Sequence, residues 1–221
     1  MTAPPAHVLD LEAVSVALAG RPLFAPITLA IEGGTVVTVM GPSGSGKSSL
    51  VAWLSGALDP AFEGLGRVRL DGRDVTRLPP EQRRIGILFQ DDLLFPHLSV
   101  GGNLAFALPA GLSRAERRRR VEAALAEAEL DGFADRDPGS LSGGQRARVA
   151  MMRTLLAGPR ALLLDEPFGG LDAALRDQFR RFVLDHARAE RIPVLLVTHD
   201  AADADAAGGP VVVLEPFDGR R

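Results

Sequence analysis

The sequence predicts an α/β fold: a mainly parallel sheet with helices on its faces and a helical segment inserted between its strands. Three observations predict it. Short apolar, β-branched runs such as Thr35–Met40 and Pro193–Thr198 read as strands buried in a parallel sheet. In the last third these runs alternate with helical patterns, which calls for parallel crossovers. Between them, from Asp91 to about Gly139, the pattern turns helical and more polar. With 221 residues, 46% of them apolar, the chain has enough core for one domain carrying an inserted subdomain.

The elements follow in order. Ile27, Leu29 and Ile31 alternate with Thr28 and Ala30 before a Gly33-Gly34 turn, and Val68-Arg69-Leu70 before Asp71-Gly72 reads as a hairpin. Ser49–Leu54 reads as a helix ending near Gly56. Ile85–Phe89 is a short buried strand leading into Gln90. Ser113 and Glu116 form an S-x-x-E capping box, with Val121, Ala124, Leu125 and Ala128 on one stripe behind it. Acidic residues interleave with Arg114–Arg120, so that basic run reads as a solvated face rather than an acid-binding patch. A helix with stripe Ala147, Ala150, Met151 and Leu155 closes at Gly158-Pro159. Ala161–Leu164 is a strand, Asp172 to about Ala189 a helix, Pro193–Thr198 a strand, and Val211–Leu214 one more.

Composition removes several classes. A net charge of −3 argues against nucleic-acid binding. Without cysteine there are no disulfides or thiolate metal sites, which favours a cytosolic setting. Nowhere do about 18 apolar residues run together, so no span is expected. Met1–His7 has neither a basic region nor an apolar core, so no signal peptide is expected.

Lys47 is the single lysine among 25 Lys and Arg residues. It stands in Gly41-Pro42-Ser43-Gly44-Ser45-Gly46-Lys47-Ser48-Ser49, after one strand and before one helix. This G-x-x-x-x-G-K-S spacing is the phosphate-binding loop: backbone N–H groups make an anion nest and the hydroxyl after the lysine binds Mg²⁺. Only a compact charge on a flexible stem reaches back over such a loop, so lysine is kept where arginine serves elsewhere. Asp165 and Glu166 end an apolar strand, where ligands of α/β sheets bind. One carboxylate can hold Mg²⁺ through water while its neighbour polarises an attacking water. Ser142 and Gln145 are an ordinary S-x-x-Q capping box, yet Gly143 and Gly144 weaken that helix start. Glycines there bare the N–H groups, which suggests a second phosphate-contacting surface.

These motifs together resemble the ATP-binding-cassette ATPases, over nearly the whole length and in that family's order. Leu141–Gln145 matches the family signature, Gln90 its Q-loop, Leu162–Glu166 its Walker B strand, Leu171-Asp172 its D-loop and His199 its switch histidine. The resemblance implies a P-loop NTPase core with an N-terminal antiparallel β subdomain and residues 91–139 as an inserted helical subdomain, in a single domain over 1–221. It implies ATP and Mg²⁺, with Lys47 on the outer phosphates and Ser48, Asp165 and Gln90 around the metal. Glu166 would be the general base, and His199 would bond the γ-phosphate. Ser142, Gly143, Gly144 and Gln145 would cover the ATP of the other copy in a head-to-tail homodimer.

Phe89–Val100 resembles import ATPases for small solutes, which work with integral membrane permease subunits and a solute-binding protein. Trp53–Leu58, Ile85–Phe95 and Ala161–Arg180 liken the chain to the thiamine, iron(III) and polyamine group. Such a subunit is cytoplasmic and peripheral on the inner face of the cell membrane, and this one is expected to lack the group's regulatory C-terminal domain. Two positions depart from the pattern. The aromatic that stacks on adenine is replaced, by register, with Leu18, and Gly102 stands for a usual acidic residue. The alternatives are an ATPase of an exporter or lipoprotein-release complex, or a non-transport ATPase. Lys47 and Leu141 are only 94 positions apart (141 minus 47), too close for the long coiled coils of the DNA-repair type, and one cassette is half the ribosome type.

Overall fold

The computed structural model describes residues 7–217; the N-terminal segment expected not to be a signal peptide lies almost wholly outside them. In chain order the strands are β1 (Val8–Leu18), β2 (Arg21–Pro22), β3 (Ile27–Glu32), β4 (Val36–Met40), β5 (Phe62–Leu70), β6 (Arg73–Asp74), β7 (Ile85–Phe89), β8 (Ala161–Asp165), β9 (Val194–Val197) and β10 (Val211–Val213). The helices are α1 (Lys47–Ser55), α2 (Pro80–Arg83), α3 (Val100–Ala107), α4 (Arg114–Glu127), α5 (Gly143–Leu156), α6 (Ala173–Ala189) and α7 (Ala201–Ala207). They divide into two compact units. The first holds residues up to Ile87, Arg160–Glu166 and Leu184 onward; the second holds Leu88–Pro159 and Pro167–Val183. The expected insertion, 91–139, lies inside the second.

The first unit is built on two sheets. One is antiparallel, in the order β2-β1-β5-β6 with β3 also on β1; the other runs β10-β4-β9-β8-β7. In the second sheet β4 pairs parallel with β9 and β10, and β8 pairs parallel with β9. Residues Val36–Val39, Ala161–Leu164 and Val194–Val197 are buried without alternation, as expected of strands covered on both faces. Ile85–Phe89 departs from that expectation. Only Leu88 is buried, because β7 is the last strand of its sheet and lacks a neighbour on one side. The Asp71-Gly72 hairpin is a two-residue turn with both φ values positive (54° and 75°), matching the right-handed twist of its strands.

Helix α1 touches both β1 and β8. Its Leu50, Val51 and Leu54 share one core with Leu9, Leu11 and Val16 of β1, Val37 and Val39 of β4, and Leu163 of β8. It starts two residues before the expected Ser49, because the glycine loop itself supplies the helix start. Gly56 ends it in the left-handed conformation, with Gly56 and Ala57 N–H groups returning to Trp53 and Ala52 carbonyls as in a Schellman motif.

The second unit packs α3, α4 and α5 around Leu104, Val121, Leu125, Val149 and Met152. The α4 stripe Val121, Ala124, Leu125 and Ala128 is buried as predicted. Ser113 accepts from the Glu116 N–H, but the Glu116 carboxylate turns to Arg119 and Arg120, which hold its pKa below the usual range. The basic run is therefore laced by its own acids.

Candidate functional site

Parallel strands β4, β8 and β9 end on the same side of their sheet, and the candidate residues of the first unit sit on those ends. The loop after β4 turns through Gly44 (φ 79°) and Gly46 (φ 92°) into α1. No side chain caps α1, so its first-turn N–H groups remain for an anion, at the positive end of the helix dipole. The two glycines serve different needs. A Cβ on Gly44 would meet nothing within 4 Å, whereas one on Gly46 would fall 2.8 Å from Cδ1 of the buried Phe24 ring. Lys47 is buried, and its Nζ donates to the Gly41 and Pro42 carbonyls at 2.9 and 3.0 Å. That ties two ammonium hydrogens to the loop and leaves the third for the cavity beside it.

The cavity, of about 520 Å³, is lined by Gly41–Gly44, Gly46–Ser48, Glu166 and His199. Asp165 ends β8 next to it. Burial pushes the Asp165 carboxyl above its usual pKa; the Ser48 hydroxyl that donates to it opposes the rise, neighbouring Glu166 adds to it, and Lys47 opposes it. Glu166 takes a left-handed φ of 49°, an uncommon state for a residue with a side chain, and its N–H donates to the Val197 carbonyl at 2.9 Å. Its Oε1 lies 3.1 Å from His199 Nδ1, which carries the proton in that contact. His199 follows β9 and is largely exposed, its ring presented to the cavity. The neighbouring Thr198 donates its hydroxyl to Asp203 (3.0 Å) and accepts from the Asp200 N–H (3.0 Å), which fixes the turn that carries the histidine. Sequence reading did not single out Thr198 and Asp203; a buried hydroxyl–carboxylate pair within one turn is visible only once burial is known.

Ser48 and Asp165 fit a hard divalent cation. They offer adjacent oxygen donors, and a cation would offset the cost of burying the carboxylate. Among the described residues no group of three or more His, Cys, Asp or Glu side chains could hold a metal alone. Mg²⁺ takes one or two protein oxygens and completes its shell with phosphate and water.

Leu18 closes β1 opposite Phe62 and is 41% exposed, so it is not a core residue. It is not among the residues lining the cavity beside Lys47.

The remaining candidates belong to the second unit. Gln90 is exposed and shares a cavity of about 500 Å³ with Gly143, Arg146 and Leu171. The expected capping box is complete: Ser142 Oγ accepts from the Gln145 N–H, and Gln145 Oε1 accepts from the Ser142 N–H. The two glycines between them part company. Gly143 is open, its nearest neighbour to an added Cβ being Leu171 at 3.9 Å. A Cβ on Gly144 would meet the end of the half-buried Leu175 side chain, which would have to move aside. Asp172 caps α6, accepting from Leu175 N–H at 3.0 Å. Asn103, unmarked by sequence reading, is fully buried and ties the segment after Gln90 to α3 through both the N–H and the carbonyl of Phe95.

The family model described as ABC transporter matches residues 24–169, which include the phosphate loop, Gln90, Ser142–Gln145 and both carboxylates. The chain belongs to the ABC transporter family. It is 50% identical over 199 residues to the uncharacterized ABC transporter ATP-binding protein YnjD of Escherichia coli, covering 90% of this chain and 92% of that one. It is 42% identical over 216 residues to the taurine import ATP-binding protein TauB of Pseudomonas putida, covering 96% and 80%. It is likewise 42% identical over 217 residues to the Fe(3+) ions import ATP-binding protein FbpC of Streptomyces coelicolor, covering 98% and 61%.

Proposed function

We propose that this chain is the ATP-hydrolysing motor subunit of an ABC importer, a homodimer working on integral membrane permease subunits fed by a solute-binding protein. The observation that carries the reading is the convergence on one cavity of the uncapped start of α1, Lys47, and the Glu166–His199 pair, with the Ser48–Asp165 oxygens beside it. Loop N–H groups and Lys47 bind the outer phosphates of ATP. Ser48 and Asp165 hold Mg²⁺, which when bound neutralises charge on the phosphate oxygens. Glu166 accepts the proton of the attacking water, and His199 turns its one ring N–H from Glu166 to the γ-phosphate. Gln90 reports on the metal and water, Leu18 lies against the adenine, and Ser142, Gly143, Gly144 and Gln145 act on the ATP of the other copy, with Asp172 at the joint. The whole of 1–221 is one ABC ATPase domain, with 91–139 inserted.

No helix of the described residues is long and apolar enough to cross a membrane. The place proposed for the chain is peripheral, on the cytoplasmic face of a separate permease. The similar import subunits are named for cargoes as different as taurine, spermidine/putrescine and Fe(3+). The motor chemistry is thus common to many cargoes, and the permease and binding protein choose the solute.

Glu166→Gln keeps size and hydrogen bonding but cannot take a proton. Hydrolysis is expected to fall by about 10²–10⁴, with ATP still bound. Sizing this variant with Mg-ATP and with ADP is expected to show a dimer only in the former; a monomer in both, with the permease absent or present, sinks the sandwich dimer. Co-purification with an integral membrane protein of an export or lipoprotein-release type would overturn import.

A further inference from the structure

Arg83 is a buried cation whose hydrogen bonds among the described residues all go to backbone carbonyls. It is 3% exposed. Its Nε donates to Leu78 (2.8 Å), its Nη1 to Trp53 (2.8 Å) and Leu54 (3.0 Å), and its Nη2 to Thr76 (2.6 Å). Two of those carbonyls belong to the last turn of α1, the helix whose first turn forms the phosphate site. The guanidinium also lies 5.6 Å from the Trp53 ring centroid, and a Cβ on Gly56 would fall 2.6 Å from its Nε. Gly56 therefore ends the helix and makes the slot for the cation.

The physical consequence concerns where α1 sits along its own axis. Its sides are held mainly by apolar contacts, which are non-directional and tolerate a slide or a tilt; Trp53 Nε1 adds one hydrogen bond to the Leu65 carbonyl at 3.2 Å. Hydrogen bonds to specific carbonyls do not. At 1.5 Å per residue this nine-residue helix is only about 13 Å long, so its ends move as one rigid body. The cation also faces the negative end of the helix dipole, where it is favourable. Burial lowers the pKa of Arg83, and the four carbonyls offset that desolvation.

We infer that Arg83 is a positioning residue for the phosphate site: by clamping the C-terminal turn of α1 to the Thr76–Leu78 loop, it sets the aim of the first-turn N–H groups and of Lys47. The inference rests on the reading of the loop as an ATP site. A planar fork is required, because an ammonium cannot span carbonyls on α1 and on the loop at once.

The test compares the intact chain with Arg83→Met, Arg83→Lys and a stability control, Val68→Ala, which thins the same core on β5 and leaves Arg83 and the four residues that accept from it unchanged. Melting curves with and without ATP, and equilibrium titration with ATP, are recorded for each. Arg83→Met is expected to raise the ATP Kd about tenfold or more and to flatten the ATP-induced rise in Tm, with Arg83→Lys between it and wild type. Val68→Ala is expected to lower Tm while leaving the Kd unchanged. A cooperatively folded Arg83 variant with wild-type Kd overturns the role, as does a Val68→Ala that weakens ATP equally. If the Met variant does not fold, the Lys variant decides on the same criterion. Failure of the wild type itself to bind ATP would instead bring down the reading of the site.

Discussion

Alanine at Gly46 gives the sharpest test of how the phosphate loop is held. Two costs add. Gly46 has φ 92°, where a side chain costs about 1–2 kcal/mol. The new Cβ would also lie 2.8 Å from Phe24 Cδ1, 3.0 Å from Cε1 and 3.1 Å from the Leu23 Cβ, an overpacking of about 1–3 kcal/mol. Phe24 has no room to retreat, being fully buried with its carbonyl held by Ser15 Oγ at 2.7 Å. Together about 2–5 kcal/mol is expected, a Tm drop of roughly 4–20 °C for a chain of this size. Phe24→Leu alone costs its own lost burial, but beside Gly46→Ala it removes the obstacle. In a four-protein thermal cycle the double variant should therefore lose less than the sum of the singles by about 1 kcal/mol or more, with the backbone share unrescued. Additivity within about 0.5 kcal/mol would refute the argument that the Phe24 ring is what excludes a side chain.

Two further predictions concern nucleotide binding. Lys47→Arg keeps the charge but cannot fold back onto the Gly41 and Pro42 carbonyls while facing the cavity. Losing one charge-assisted hydrogen bond of about 1.5–3 kcal/mol should weaken ATP by roughly ten- to 150-fold; near-normal turnover of the Arg variant would contradict the reason given for a lysine. Leu18→Tyr should tighten ATP by no more than about two- to twelvefold, the gain of stacking beyond burial, with the ATP-over-GTP preference little changed. Titration of both nucleotides decides it, and unchanged or weaker binding with the fold preserved would place the adenine elsewhere.

Features that depend on spacing along the chain were legible before any packing was known. The strand–glycine loop–helix unit around Lys47 was legible because its glycines, lysine and serine fall within one turn between one strand and one helix. The Ser142–Gln145 capping box, the Asp71-Gly72 hairpin and the apolar stripe of α4 were legible for the same reason. Tertiary structure decided what depends on neighbours remote in sequence. Glu166 and His199 meet at 3.1 Å because β8 and β9 lie side by side after the crossover through α6. Ile85–Phe89 loses its expected burial because its place at the sheet edge is a matter of strand order. A side chain at Gly144 would meet Leu175, thirty-one residues further on, and Arg83, unmarked by sequence reading, is buried against the tail of α1. Periodicity and motif spacing are written locally. Which side chain loses its water, and against what, is fixed only when segments far apart in the chain pack together.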